Sequence, residues 1–514
     1  MAEKAAVRSA DNLGPNGLGQ PVRAEESFLA TPRGRVTLLV LCAVAFIDFV
    51  DGSIVNIALP QIHRALHFSP ASLVWVPSGY LLTYGGFMLL GGRAADLLGR
   101  RRLLIAGTVV IGVASLVGGL AQSSGVLVGA RLMQGVGAAM GLPAALSILT
   151  TTFQEGKDRH NAIGVWSATA AIASVGGVLL GGLLTQGPGW RWVFFVNPVV
   201  CVLVLGGIFA VISGTREPRQ NRNFDLPGAV LVTAGVLLLV YAIVKAPTVG
   251  WGTSRTIGEI AGAIVLLVAF VINEQRAKSP LAPLSVFRIN GLAFSDLTQL
   301  LAFAGFLALF FFLTQYMQQV LGYSAIKTGL SYVPLTIAVG IAAGISSQLL
   351  TRVGTRAIIV VGALIAAGGV YWLSKIPVHG SYLSDLLPGM LIMSIGFGFV
   401  ATATTTAANA GVPADKAGLA ASLLQASQQL GAALGLAVLT AISTSRANHL
   451  LAAHATMHRA LTSGYRDALL AGVGFLLAAA ILGLRATNTR DQEPQPTGSP
   501  EPAIEPNAAM AATV

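Results

Sequence analysis

Long apolar runs, interrupted at short intervals by clusters of Arg, Gly, Pro and Asp, set the rhythm of this chain. A hydrocarbon core of about 30 Å takes roughly 20 apolar helical residues to cross. By that measure the sequence predicts fourteen spans. They lie near residues 36–58, 74–92, 103–121, 126–150, 161–184, 192–213, 226–246, 257–274, 292–318, 328–350, 356–374, 386–409, 418–443 and 467–485. Polar segments flank the array. Residues 1–35 carry scattered Gly, Pro and charge with no cleavable signal pattern, and 486–514 holds Pro494, Pro496, Pro500, Pro502 and Pro506 among acids and alanines. Both read as disordered tails.

Composition agrees with the pattern. Of 514 residues, 54% are hydrophobic and 10% charged, and mean hydropathy is +0.72. A soluble domain carries roughly 25% charged residues because its surface faces water, so the chain reads as an all-α polytopic membrane protein. Cys42 and Cys201 sit inside apolar runs as small packing residues, with no disulfide framework.

The net charge of +11 would first suggest nucleic acid. Its placement argues otherwise. With the N-terminus inside, 22 of the 32 bases fall on cytoplasmic connections and tails and nine outside. This is the positive-inside bias, with both termini cytoplasmic. The 444–466 connection runs against the trend, since Arg446, Arg459 and Arg466 fall outside.

A faint repeat at an offset of 255 aligns DLLGRRRLLIAG from Asp96 with TRVGTRAIIVVG from Thr351, and Gly176 with Gly431. It predicts two related six-span halves separated by two inserted spans. The expected divisions are a 1–35 tail, bundles at 36–213 and 292–485, an insert at 214–291, and a 486–514 tail.

Charge inside hydrocarbon costs about 2.5–3.5 kcal/mol or more and marks a cavity or pathway. Asp48 and Asp51 stand mid-span in AFIDFVDGSIVNIALP, three apart on one helix face. They suit a proton carrier or a cation site. Arg131 alone among the bases lies within a span and cannot lose its proton there. Asp296 opens span 9, where interfacial solvation competes with a pathway role, and Glu259 and Glu274 mark the ends of span 8. Asn56, Gln134, Asn197, Gln299, Gln315, Gln318, Gln425, Gln428 and Gln429 either face a cavity or join helices. Phe310, Phe311 and Phe312 read as lipid-facing or core. Gly177 with Gly181, and Gly431 with Gly435, allow close helix approach. The sequence contains no GxxxxGK[ST], HExxH or GxSxG motif, and the seven histidines lie in or beside connections. An enzyme is therefore not expected, nor a bound metal.

Several of these stretches resemble the major facilitator superfamily, and within it the 14-helix drug–proton antiporters. GGRAADLLGRRRLLIAG fits the loop signature G-x-x-x-D-[RK]-x-G-[RK]-[RK] at Gly92, Asp96, Gly99, Arg100 and Arg101, with Leu97 in place of the usual base. DGSIVNIALP resembles the span-1 motif with Ser53 for Thr, and ARLMQGVGAA the span-4 motif. WRWVFFVN, FDLPG, QVLGYSAIKTGLSYVP, PADKAGLAAS and QLGAALG extend the likeness over about residues 36–485. In the span-5 motif G-P-x-x-G-G, Val178 replaces proline between Gly177 and the Gly181–Gly182 pair.

The resemblance implies two six-helix bundles rocking about a midplane cavity, with spans 7 and 8 between them. It implies a charge latch of Asp96, Arg100 and Arg101 at the cytoplasmic face, and proton coupling through Asp51, Asp48 and Arg131. The implied function is proton-driven efflux of amphipathic drugs or antibiotics by a monomer in the cell membrane, with no cofactor and no nucleic acid. Export of one endogenous metabolite, amino acid or lipid on the same fold is the alternative. Asn56, Gln134, Asn197, Asp296, Gln315 and Gln425 are the candidate substrate pathway.

Overall fold

The computed structural model describes residues 28–69, 72–153, 157–212, 225–277, 280–281, 291–410, 412 and 417–489. The predicted tails fall mostly outside these residues, as does the first part of FDLPG and of PADKAGLAAS. Within them there are fourteen long helices and no strand. They are α1 (Pro32–Ala65), α2 (Trp75–Leu98), α3 (Arg100–Gly119), α4 (Ser124–Thr152), α5 (Lys157–Gln186), α6 (Trp192–Val211), α7 (Leu226–Val249) and α8 (Ser254–Arg276). The rest are α9 (Leu292–Gln315), α10 (Ala325–Val353), α11 (Thr355–Leu373), α12 (Leu387–Asn409), α13 (Ala417–Ala452) and α14 (Met457–Gly483). Thirteen of them are long and apolar enough to cross a membrane; α5 is the other, with its apolar stretch at Ile172–Gln186.

The ends follow capping chemistry. Thr31, Ser123, Thr253 and Ser324 accept from the backbone of the first turns of α1, α4, α8 and α10. Helices α2 and α10 stop at Gly99 (φ 96°) and Gly354 (φ 80°), where an L side chain would be strained. These glycines are 255 apart, so the repeat holds at this turn. Between α13 and α14 the predicted 444–466 connection is instead mostly helix: α13 runs to Ala452 and α14 starts at Met457. Arg446 on α13 pairs with Asp467 on α14 at 3.3 Å. Hydropathy ends a span where charge begins, but a helix that continues into water keeps its backbone bonds and does not stop there.

Helices α1–α6 pack together, as do α9–α14. Glycines set the spacing. Side chains at Gly177 and Gly181 of α5 would run into α1 at Val50–Ser53 and Ile54, and side chains at Gly431 and Gly435 of α13 would run into the α9 backbone at Leu300 and Ala304. The two halves therefore repeat one joint. The matching pairs are 254 apart, one residue off the sequence-based pairing of Gly176 with Gly431; Gly176 faces the Phe46 ring at 3.9 Å. Gly182, next in the same motif, closes on Ala325 and Ile326 across the seam.

The halves meet along α2–α13 and α5–α10. Helix α7 packs on α2 and α13 and carries α8 on its other side, so the inserted pair covers the seam from outside and does not separate the bundles. Close approaches between α5 and α10 lie at the end away from the α2–α3 turn. Gly329 fits against the Val178 carbonyl, and Ile326 N–H donates to Gln186 Oε1 at 3.4 Å. Gln318 Nε2 donates to the Ile57 carbonyl of α1 at 3.0 Å on the same side. Toward the basic end the two helices expose several faces. Ile163, Gly164 and Val165 are exposed in succession, sweeping about 200° of α5. Gly340 and Gly344 of α10 have no neighbour within 4 Å of a Cβ position. The α5–α10 contacts thus gather at the end away from the α2–α3 turn, while α2 and α13 stay in contact toward the basic end at Gly92 and Ser422.

The α9–α13 joint should tolerate no side chain. Gly435→Val should destabilise the protein by about 1–3 kcal/mol through overpacking. Gly164→Ala, which meets open space, should leave the melting temperature within about 1 °C of wild type, since exposed changes stay near ±0.5 kcal/mol. Thermal unfolding of both variants in detergent checks this.

Candidate functional site

Arg131 lies about two turns into α4 with 1% of its surface exposed, and four kinds of partner hold it. Its Nη1 donates to Asp51 Oδ2 in a direct ion pair and to Gln134 Oε1 at 3.0 Å. Its Nε donates to the Val76 carbonyl at 2.9 Å. Its guanidinium lies over the Tyr80 ring, 4.5 Å from the centroid. The other Asp51 oxygen accepts from Asn197 Nδ2 at 2.6 Å and from Gln134 Nε2 at 3.3 Å. Ser115 Oγ ties both amides together, accepting from Gln134 at 2.6 Å and Asn197 at 3.3 Å. Residues of α1, α2, α3, α4 and α6 thus meet at one buried ion pair.

Asp48, one turn earlier on α1, is also buried but turns toward α2. Tyr80 Oη donates to its Oδ1 at 2.5 Å and Tyr84 Oη to its Oδ2 at 3.1 Å. The two acids therefore share a helix face without sharing partners. Tyr80 links them: its hydroxyl serves Asp48 while its ring carries Arg131. The sequence reading missed Tyr80, Tyr84 and Ser115. The tyrosines recur at i, i+4 in an apolar span, a spacing that marks one helix face, but only packing puts that face opposite Asp48.

The other expected residues fall into three groups. Gly92 faces Ser422 across the seam, where an added Cβ would lie 3.5 Å from the serine hydroxyl. Arg100 Nη1 donates to Thr151 Oγ1 of α4 at 2.9 Å, and Arg101 lies over the Phe209 ring of α6 at 5.4 Å. These contacts brace the basic end within the N-terminal half; the side chain of Asp96 lies outside the described residues. Asn56 is not part of the Asp51 network. It is half-buried, donates to the Gly52 carbonyl at 3.0 Å, and shares one side of α1 with exposed Gly52. Pro60 lacks an N–H, so the Asn56 carbonyl has no helical donor four residues on. Gln425 is half-buried on α13, and Gln315 is buried near the end of α9 with Oε1 unbonded. Asp296 is buried in the second turn of α9, not solvated at an interface, and neither carboxylate oxygen has a partner. Phe311 and Phe312 are core, while Phe310 is half-buried against Tyr332.

Two helical bundles meeting along a seam, with an ion pair buried where hydrocarbon would surround it, define a membrane transporter. Comparison with known proteins agrees. Residues 41–436 match the model of the Major Facilitator Superfamily. The chain is 38% identical to the cephamycin export protein CmcT of Amycolatopsis lactamdurans, over 88% of this chain and 92% of that one. It is 38% identical to the puromycin resistance protein of Streptomyces alboniger, over 91% and 94%. Among solved structures, a bacterial homolog of the human lysosomal transporter Spinster, inward-facing and occupied, aligns with a TM-score of 0.63 at 19% identity, over 88% of this chain and 97% of that one. The chain belongs to the Major Facilitator Superfamily, membrane transporters of small molecules.

The buried pair makes a quantitative prediction. Removing one partner leaves a charge with no counter-charge, so Asp51→Leu should destabilise by about 3–5 kcal/mol, whereas Asp51→Leu with Arg131→Met should recover most of that loss. Unfolding of both variants in detergent is the check, and equal stability of the single and double variants would contradict the pairing.

Proposed function

We propose that this protein exports amphipathic organic compounds, antibiotics among them, in exchange for protons, as a monomer in the cell membrane with both termini and the basic end in the cytoplasm. The observation that carries the reading is the buried pair between Asp51 of α1 and Arg131 of α4, with Asp51 six residues from the Ile57 carbonyl that accepts from Gln318 of the other half. Support for the cargo comes from relatives whose names describe export of or resistance to cephamycin, puromycin and tetracenomycin C. The bias of bases toward one side supports the orientation.

The chemistry follows from the partners. Arg131 keeps its charge at all times, so the variable member of the pair is Asp51. A proton on Asp51 would cancel the attraction that joins α1 to α4, leaving Arg131 on Gln134, the Val76 carbonyl and the Tyr80 ring. Helix α1 also carries the contact with Gln318, so loosening its hold on α4 alters that link between the halves. Asp48 with Tyr80 and Tyr84 supplies a second acceptor beside the first. Export is coupled when the empty, ionised protein stays locked and only proton or cargo permits the swing.

Everted vesicles test this. Acidifying the lumen should drive ethidium accumulation, a protonophore should abolish it, and Asp51→Asn should lower it at least tenfold while the protein still reaches the membrane. Gradient-driven accumulation at the wild-type rate by that variant contradicts the assignment. A panel of antibiotics in the same assay separates a broad exporter from one dedicated to a single compound.

A further inference from the structure

All four oxygens of Asp48 and Asp51 have partners, whereas Asp296 has none on either oxygen with 4% of its surface exposed. One turn further along α9, Gln299 is likewise buried. Its Oε1 accepts from Thr404 Oγ1 of α12, and its Nε2 is unbonded. Three polar atoms on one turn therefore lack partners where a bare carboxylate costs most. Such a group persists in hydrocarbon only if a proton or a cation neutralises it.

The repeated glycine joint relates this turn to α1. Gly181 meets Ile54 as Gly435 meets Ala304, so α1 and α9 correspond at an offset of 250. Asp296, Gln299, Phe303 and Phe306 then occupy the positions of Phe46, Phe49, Ser53 and Asn56. Those four positions of α1 are half-buried, two of them, Phe46 and Ser53, against Gly176 and Gly177 of α5, whereas Asp296, Gln299 and Phe306 of α9 are buried. The C-terminal counterpart is aromatic beyond its polar turn. Phe306 stacks on Phe397 at 3.5 Å, Phe303 meets Phe397 edge-on at 5.1 Å, and Phe310 stacks on Tyr332 at 5.1 Å. Phe303 lies seven residues beyond Asp296, about 10 Å along the helix.

We propose that Asp296 and Gln299 form a second ligand site, which takes the ammonium or iminium group of an aromatic organic cation while its ring system lies along Phe303 and Phe310. This deepens the export reading and rests on it. The C-terminal half supplies the cargo site and the N-terminal half the proton site. A carboxylate neutralises the cation, the unbonded Gln299 Nε2 donates to an acceptor atom elsewhere on the cargo, and the ring faces add cation–π attraction. A neutral cargo gains only the aromatic part.

The test uses purified full-length protein in detergent, with ethidium as the cation and Nile red as a neutral probe. Asp296→Asn should lower the ratio of ethidium to Nile red affinity at least tenfold, and Asp296→Glu should restore it to within threefold. The Asn variant should melt at or above the wild-type temperature, because it removes an uncompensated charge. As a check without substitution, a hydrophobic carbodiimide should label Asp296 in the wild type, read by peptide mass spectrometry, and saturating ethidium should slow that labelling at least tenfold. An unchanged ratio in Asp296→Asn contradicts the site, and so does labelling that is absent or that ethidium does not slow. Ethidium binding that depends on residue 296 without pH-driven transport would retain the site and overturn the export reading. Transport that ignores residue 296 would do the reverse.

Discussion

A guanidinium cannot give up its proton, so once Arg131 is placed inside hydrocarbon the surrounding helices must be arranged to hold it. The N-terminal half is built around that requirement. Asp51 brings the opposite charge from α1, Val76 a carbonyl from α2, Gln134 an amide from its own helix, and Tyr80 a ring face. Asn197 of α6 then fixes Asp51, and Ser115 of α3 ties Asn197 to Gln134. The arrangement is costly to assemble and more costly to leave half-assembled, which suits a switch: adding or removing one proton changes the balance of a whole bundle.

Small residues decide how that balance reaches the other half. Gly177 and Gly181 let α5 lie on α1 at the turn that carries Asp51, and Gly182 lets the same helix touch α10. Val178 stands at the proline position of the span-5 motif the chain resembles, and its carbonyl is the point that Gly329 approaches. The close contact is retained without a proline kink because glycine on the facing helix makes the room. The C-terminal half repeats this joint at Gly431 and Gly435 but fills its inner stripe with phenylalanines and one unpartnered acid. The two halves thus share a scaffold and differ in chemistry.

Much of this was legible in the residue pattern, for reasons that explain the gaps. Fourteen spans could be counted because hydrocarbon imposes a length, and Asp48, Asp51 and Arg131 stood out because charge is scarce there. Gln134 and Asn197 were picked out as polar residues in spans, yet their meeting at Asp51 depends on helix rotation, which a single sequence does not encode. Tyr80 and Tyr84 were invisible because tyrosine is ordinary in apolar helices until an acid lies opposite. Asp296 begins a span by hydropathy, which left interfacial solvation and a pathway role open; only folding shows it buried. The α13–α14 connection was overestimated because helices outlast the membrane.

The account turns on the ionised Asp51–Arg131 pair holding the empty protein in a single state. Spin labels at exposed positions 164 of α5 and 340 of α10, one on each half, report the opening of the basic end by double electron–electron resonance. At pH 8.5 without cargo, the wild type should show one dominant long distance. Asp51→Asn should add a second, shorter population under the same conditions, because the basic end would then close without a cargo to license it. Superimposable distance distributions for the two proteins would contradict the account.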